Sequence, residues 1–174
     1  MKKLTICFLF LLLYSGDLFS QNYKSPSPGK SLVYFVRFSG TGALINFKYF
    51  DGDKYLGKAS GVNYFTYECD PGEHVFWVAA ENRDYIKGNF REGATYILEV
   101  KPTMGAFKAA VNLIQVSPTD EKTLKRVDKI LYRKPDSVLA GRDEDMSFFI
   151  QNGLERLSKI ENEVKVINPD WTFN

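Results

Sequence analysis

The sequence predicts a mainly β protein, an antiparallel β-sandwich of about eight short strands followed by two amphipathic C-terminal helices. Three observations carry this expectation. Between residues 31 and 117, alternating or wholly apolar runs are separated by Gly-, Pro- and Asp-containing turns about every 8 to 12 residues. No helical period interrupts these runs, which argues against the parallel sheet of an α/β fold. After Pro118 the apolar spacing changes to three and four residues, the period of a helix with one buried face.

Residues 1–20 precede that body and read as a cleavable signal peptide. Lys2 and Lys3 form a positive start, Leu4 to Tyr14 is an apolar run of eleven residues, and Ser20 is a small residue before Gln21. Crossing a bilayer takes about 20 apolar residues, so the run is too short for a span. Cys7 lies inside the run, which excludes it as the first residue of a lipoprotein. Of 174 residues, 154 then remain, enough for one domain with a real core. The net charge of +2 falls to +1 once Lys2, Lys3 and Asp17 are removed. Such a balance argues against a dedicated nucleic-acid binder. No second long apolar segment follows, so no membrane span is expected after cleavage.

Residues 21–30, with Ser25-Pro26-Ser27-Pro28-Gly29, read as a flexible lead. Leu32 to Phe38 is almost wholly apolar, as a strand covered on both faces is. Leu44 to Phe50 alternates, with Ile45, Phe47 and Tyr49 on one side, and Asp51-Gly52 supplies a hairpin turn. Tyr55-Leu56 is a short return strand. Asn63 to Cys69 alternates again and closes at Asp70-Pro71-Gly72, and Val75 to Ala80 is apolar on both faces around Trp77. Tyr85 to Phe90, interrupted by Gly88, reads as an edge strand. Tyr96, Leu98 and Val100, then Phe107, Ala109, Val111 and Leu113, define the apolar sides of the last two strands.

Residues 118–174 form the helical appendage. Thr119 or Asp120 caps a first helix carrying Leu124, Val127, Ile130 and Leu131, and Pro135 ends it. A second helix is expected from about Glu144 to Val164, opened by Asp143-Glu144-Asp145. Its stripe of Met146, Phe149, Ile150, Leu154, Leu157, Ile160 and Val164 predicts that Leu157 is largely buried. Trp171 and Phe173 in the tail are placed to tuck back onto the body.

The ordered set Val33-Tyr34-Phe35-Val36-Arg37, Phe50-Asp51-Gly52, Tyr55-Leu56-Gly57-Lys58, Tyr64-Phe65, Pro71-Gly72-Glu73-His74, Gly93-Ala94-Thr95-Tyr96 and Met104-Gly105 resembles an exported bacterial domain-of-unknown-function family built like PEGA domains. The resemblance covers residues 31 to 117. It implies a PEGA-like or immunoglobulin-like sandwich outside the cytoplasmic membrane, and it implies no catalytic residues.

Chemistry must pass through few groups. His74 is the one histidine, so a Ser-His-Asp or Cys-His arrangement has to use it. Its place beside a turn, with no nucleophile pattern nearby, favours a structural role. Zinc-ligand spacings are absent. Asp51-Gly52-Asp53 fails as a calcium loop, because the twelfth position is Val62 and not an acid. Asp143-Glu144-Asp145 reads as a helix start. Gly40-Thr41-Gly42 lacks the remainder of a phosphate loop and is expected to be a flexible loop, one that a binding edge can use. Glu68, Glu73 and Glu99 belong to a solvated sheet face or rim. Cys69, the one cysteine after Ser20, shares a face with Phe65 and Tyr67 and is expected to be a buried free thiol.

Aromatic residues make up 15% of the chain, mostly at core parity. Lys122, Lys125, Arg126, Lys129, Arg133 and Lys134 crowd the first helix, where they form a solvated face or meet an anionic surface. No catalytic, cofactor-binding or metal-ligating residue is assigned, and no cofactor is expected. The functional expectation is an exported, periplasmic or extracellular, non-catalytic module binding an envelope polymer or protein partner. A surface glycan-binding module is the alternative, and a hydrolase built on His74 and carboxylates is third.

Overall fold

A computed structural model describes residues 23–104 and 109–173. The expected signal segment, the cleavage point before Gln21, and Gly105 and Phe107 lie outside the described residues. The elements run β1 (Ser31–Arg37), β2 (Phe47–Asp51), β3 (Lys54–Ala59), β4 (Asn63–Cys69), β5 (Gly72–Ala79), β6 (Arg83–Phe90), β7 (Thr95–Met104), β8 (Ala109–Gln115), α1 (Glu121–Arg133), α2 (Ser147–Lys159) and β9 (Lys165–Val166). One sheet has the order β4-β1-β7-β8 and the other β3-β2-β5-β6-β9. They face each other as the expected sandwich.

Side-chain parity explains the layers. Val33 and Phe35 of β1 point between the sheets, where they meet Phe47, Tyr49, Phe65, Phe76 and Leu98. Leu32, Tyr34 and Val36 point the other way, onto Leu124, Val127 and Ile130 of α1 and onto Phe173 of the tail. The outer face of the second sheet presents Phe50, Trp77 and Tyr85 to Phe149, Ile150 and Leu157 of α2. Each sheet is therefore covered on both sides, which is why β1 and most of β5 are apolar on both faces.

Several details differ from the sequence expectation, each for a long-range reason. Pairing is antiparallel except at β1–β7 and β6–β9, which run parallel. The chain crosses to the second sheet for β2 and β3, returns in β4, crosses again for β5 and β6, and comes back in β7 running in the direction of β1. Leu44 and Ile45 fall in a turn, because the buried Arg37 guanidinium donates to the carbonyls of Thr41, Gly42 and Ile45 and curls the segment before β2. Residues 83–90 form an inner strand, since β9 adds beside them.

α2 is also shorter than its stripe implied. Trp77 stands beneath its middle, and only glycine lets the backbone settle there: a Cβ on Gly153 would lie 2.5 Å from the indole. Gly153 is accordingly the buried residue of this helix, while Leu157 is half-buried and not largely buried. The stripe's last residues leave the helix, and Val164 reaches the core from the turn before β9.

The segment after Pro118 is integral to the sandwich. Residues 136–140 bridge the open side between β4 and β3: Ser137 N–H donates to the Tyr64 carbonyl, and Lys58 and Ala140 exchange two bonds at 2.9 Å. Leu139 plugs the core there, 3% exposed. On the opposite side, the outer edge of β8 is occupied by side chains. Asn82 exchanges two bonds with Val111, Asp84 accepts from Leu113 N–H, and Lys165 donates to the Leu113 carbonyl. Both devices satisfy edge groups that would otherwise template pairing with another chain. The lead from Tyr23 to Lys30 lies along the first sheet, with Lys24 N–H on the Tyr34 hydroxyl and Ser27 on the Glu68 carboxylate.

Candidate functional site

His74 sits near the start of β5, at one end of the sandwich, in a cleft of about 520 Å³. The β2–β3 hairpin turn, with Gly52 at φ 54°, brings Asp51 against it. Its Nδ1 lies 2.8 and 2.9 Å from the two Asp51 carboxylate oxygens, and its Nε2 lies 2.8 Å from the Asp70 carbonyl. Cys69 lines the same cleft. Tyr67 donates its hydroxyl to Asp51 at 3.1 Å. Thiol, imidazole and carboxylate thus meet, a juxtaposition that the spacing of Asp51, Cys69 and His74 in the sequence did not disclose.

The electrostatics decide what this cluster does. The Asp51 hydrogen bond, helped by that of Cys69 and opposed by burial, raises the His74 pKa to about 10. At neutral pH the ring is an imidazolium donating both N–H groups, one to a carboxylate and one to a carbonyl. A general base needs a ring nitrogen with a free lone pair, and none is left. Cys69 is 4% exposed, so a substrate has little access to the sulfur. The cluster clasps the β2–β3 turn to the β4–β5 turn. Glu73 lines the same cleft, Glu68 holds the lead, and Glu99 lies 3.8 Å from Arg126. Among the described residues, no group of three or more His, Cys, Asp or Glu side chains is placed to hold a metal ion.

A second concavity runs beside α1. Asp120 caps that helix by accepting from Thr123 N–H at 3.0 Å, and Leu124, Val127 and Ile130 anchor it to the first sheet. This leaves Arg126, Lys129, Arg133 and Lys134 bordering a groove of about 340 Å³ whose apolar lining is Phe38, Val62 and Ile130. The Arg126 guanidinium lies 4.2 Å from the centre of the Phe38 ring. Among the described residues, no carboxylate forms an ion pair with Lys129, Arg133 or Lys134. The cations were visible in the sequence. Phe38 shares the outward parity of Tyr34 and Val36 and was in principle legible as part of this face. Val62, in a turn between strands, gave no such signal.

The aromatic strip on the second sheet is covered. Phe50 and Trp77 stack with ring centres 3.7 Å apart, Phe149 of α2 lies parallel to the indole at 6.1 Å, and Phe50 and Trp77 are fully buried. Gly40-Thr41-Gly42 is held by Arg37 through two of its carbonyls. No helix among the described residues is long and apolar enough to cross a membrane.

Fold and site together describe a β-sandwich faced on both sides by helices, with a clasped histidine at one end and a cationic groove along α1. No family model matches the chain. It is similar to an uncharacterized protein of Haemophilus influenzae, 26% identical over 113 residues. The match covers 64% of this chain and 66% of that protein, so it spans just under two thirds of the relative's length.

Proposed function

We propose that the chain is an exported, non-catalytic β-sandwich module that binds an envelope component or protein partner through the α1 groove. The carrying observation is the groove itself: an apolar floor bordered by Lys129, Arg133 and Lys134, which no carboxylate of the described residues pairs with. Charges that stabilise a fold are normally answered within it, and a concave apolar patch with a few convergent polar groups is the usual form of a binding site. The clasped state of His74 supports the non-catalytic part, because the one imidazole has no free lone pair. The charged, apolar and small-residue pattern of residues 1–20 and the PEGA-like resemblance support export and an envelope location.

A photo-crosslinking amino acid at position 129, expressed in the native host, tests the reading. A discrete adduct is expected from position 129 and not from position 81, at an exposed turn elsewhere. Equal labelling from both positions, or none from 129, would overturn the groove as the binding surface.

A further inference from the structure

We infer that the α1 groove takes an extended acidic peptide carrying one large apolar side chain, presented by a protein partner. This rests on the binding-module reading and names its ligand. The apolar floor comes from three elements: Phe38 follows β1, Val62 belongs to the turn before β4, and Ile130 lies on α1. At about 340 Å³ the groove is at the small end of ligand pockets, suited to a side chain more than to a polymer ring system.

The rim is elongated. Arg126 and Lys134 are eight residues apart on and just after α1, which at 1.5 Å per residue is about 12 Å. About four residues of extended chain cover that length at roughly 3.3 Å each. Acidic side chains along such a segment reach successive cations while one apolar side chain drops onto Phe38, Val62 and Ile130. A compact anion such as a single phosphate would want donors converging on one point, and these are spread along the helix. A flat anionic bilayer would meet the protruding cations but would not follow the concave floor of Phe38, Val62 and Ile130. Glu99, at 3.8 Å from Arg126, is the carboxylate that answers part of the rim, so Lys129, Arg133 and Lys134 carry the recognition.

The test uses the purified chain and fluorescein-labelled heptapeptides read by anisotropy. Saturable binding is expected for DEDFEDE, at least tenfold weaker binding for DEDSEDE, and none for KRKFKRK. The first affinity should fall as salt rises and should be lost in the double variant Lys129→Glu, Arg133→Glu. It should persist in Lys122→Glu, which does not border the groove. Should the double charge reversal unfold by circular dichroism, Lys129→Gln with Arg133→Gln replaces it and must weaken binding at least fivefold. Equal binding of the acidic and basic peptides, or unchanged affinity in the folded double variant, overturns the inference. So does binding to phosphatidylglycerol vesicles with none to DEDFEDE. A specific crosslink at position 129 combined with absent peptide binding would retain the module reading and remove the acidic-peptide assignment.

Discussion

Around His74 the imidazole, the Asp51 carboxylate and the Tyr67 hydroxyl meet partners from within the chain, whereas along α1 three cations face solvent over an apolar floor with no carboxylate of the described residues to answer them. Both places are concave and both are bordered by charge. They differ in whether the charge is already used. In the cleft, Asp51 accepts from His74 and from Tyr67, and the imidazolium spends its second proton on the Asp70 carbonyl. Such a cluster holds turns together and has little left for a ligand. Along α1 the helix is anchored to the first sheet by Leu124, Val127 and Ile130, so its cations are not needed to keep it in place. A gathering of reactive residue types is therefore a weaker sign of function than unspent bonding capacity.

Three variants put that contrast to the test. The largest expected effect is at Asp51, whose side chain is 11% exposed beside a charged histidine. Asp51→Ala removes the acceptor for both His74 and Tyr67 and should cost about 3 kcal/mol, within the range for uncovering a hydrogen-bonded, largely buried charge. Urea unfolding at pH 7 measures it, and a loss under about 1 kcal/mol would show that the clasp contributes little.

The next effect is smaller and depends on pH. His74 is raised from its ordinary 6.5 to about 10 in the folded chain. Its charged form is therefore favoured by folding, and the stabilisation is complete below about pH 6.5 and lost as pH rises through 10. His74→Gln should cost about 2 kcal/mol at pH 6, and the difference from wild type should close as pH passes 10. A gap between the two that stays constant from pH 6 to 10 would mean that His74 does not titrate as an ion pair.

The smallest stability effect belongs to the groove. Lys129→Glu with Arg133→Glu exchanges exposed charges that have no ion pair to lose, so the unfolding midpoint should correspond to a change within about 0.5 kcal/mol. Arg133 stands in the last turn of α1, where the helix dipole favours a cation, so any small shift should be a loss. A loss of several kcal/mol would place these cations among the structural groups and erase the contrast with His74.

Much of the fold was legible because burial follows local parity. Phe47 and Tyr49 alternate with Lys48 and are fully buried, Leu32 to Val36 is apolar on two faces and is covered on both, and Cys69 is buried as a free thiol beside Phe65. Of the tail aromatics, Phe173 behaves as read, 7% exposed against the first sheet, while Trp171 is half-buried. The unread parts depend on residues far apart. Gly57 read as the end of a short strand and Gly88 as the interruption of an edge strand, yet a Cβ at Gly57 would collide with Leu139 and one at Gly88 with Ile167. Their bareness is what lets the segment after Pro118 dock. Nothing local in Lys165-Val166 marks it as a strand, since its ladder is supplied by Ile86 and Lys87.

The sequence by itself determined that this is a β-rich chain with two terminal helices, which faces of its strands are apolar, and which helix carries the cations. Those properties depend on the order of side chains within a few residues, and the periods of strand and helix translate that order directly into faces. Long-range packing settles that β1 and β7 run parallel, that Trp77 is roofed by Gly153, that Asp51 spends His74, and that Phe38 and Val62 make a floor beside Arg133. Each of these joins residues at least 15 positions apart in the chain. Such pairings are settled by how whole sheets and helices pack, where burying the most apolar surface and satisfying the most polar groups must be achieved together.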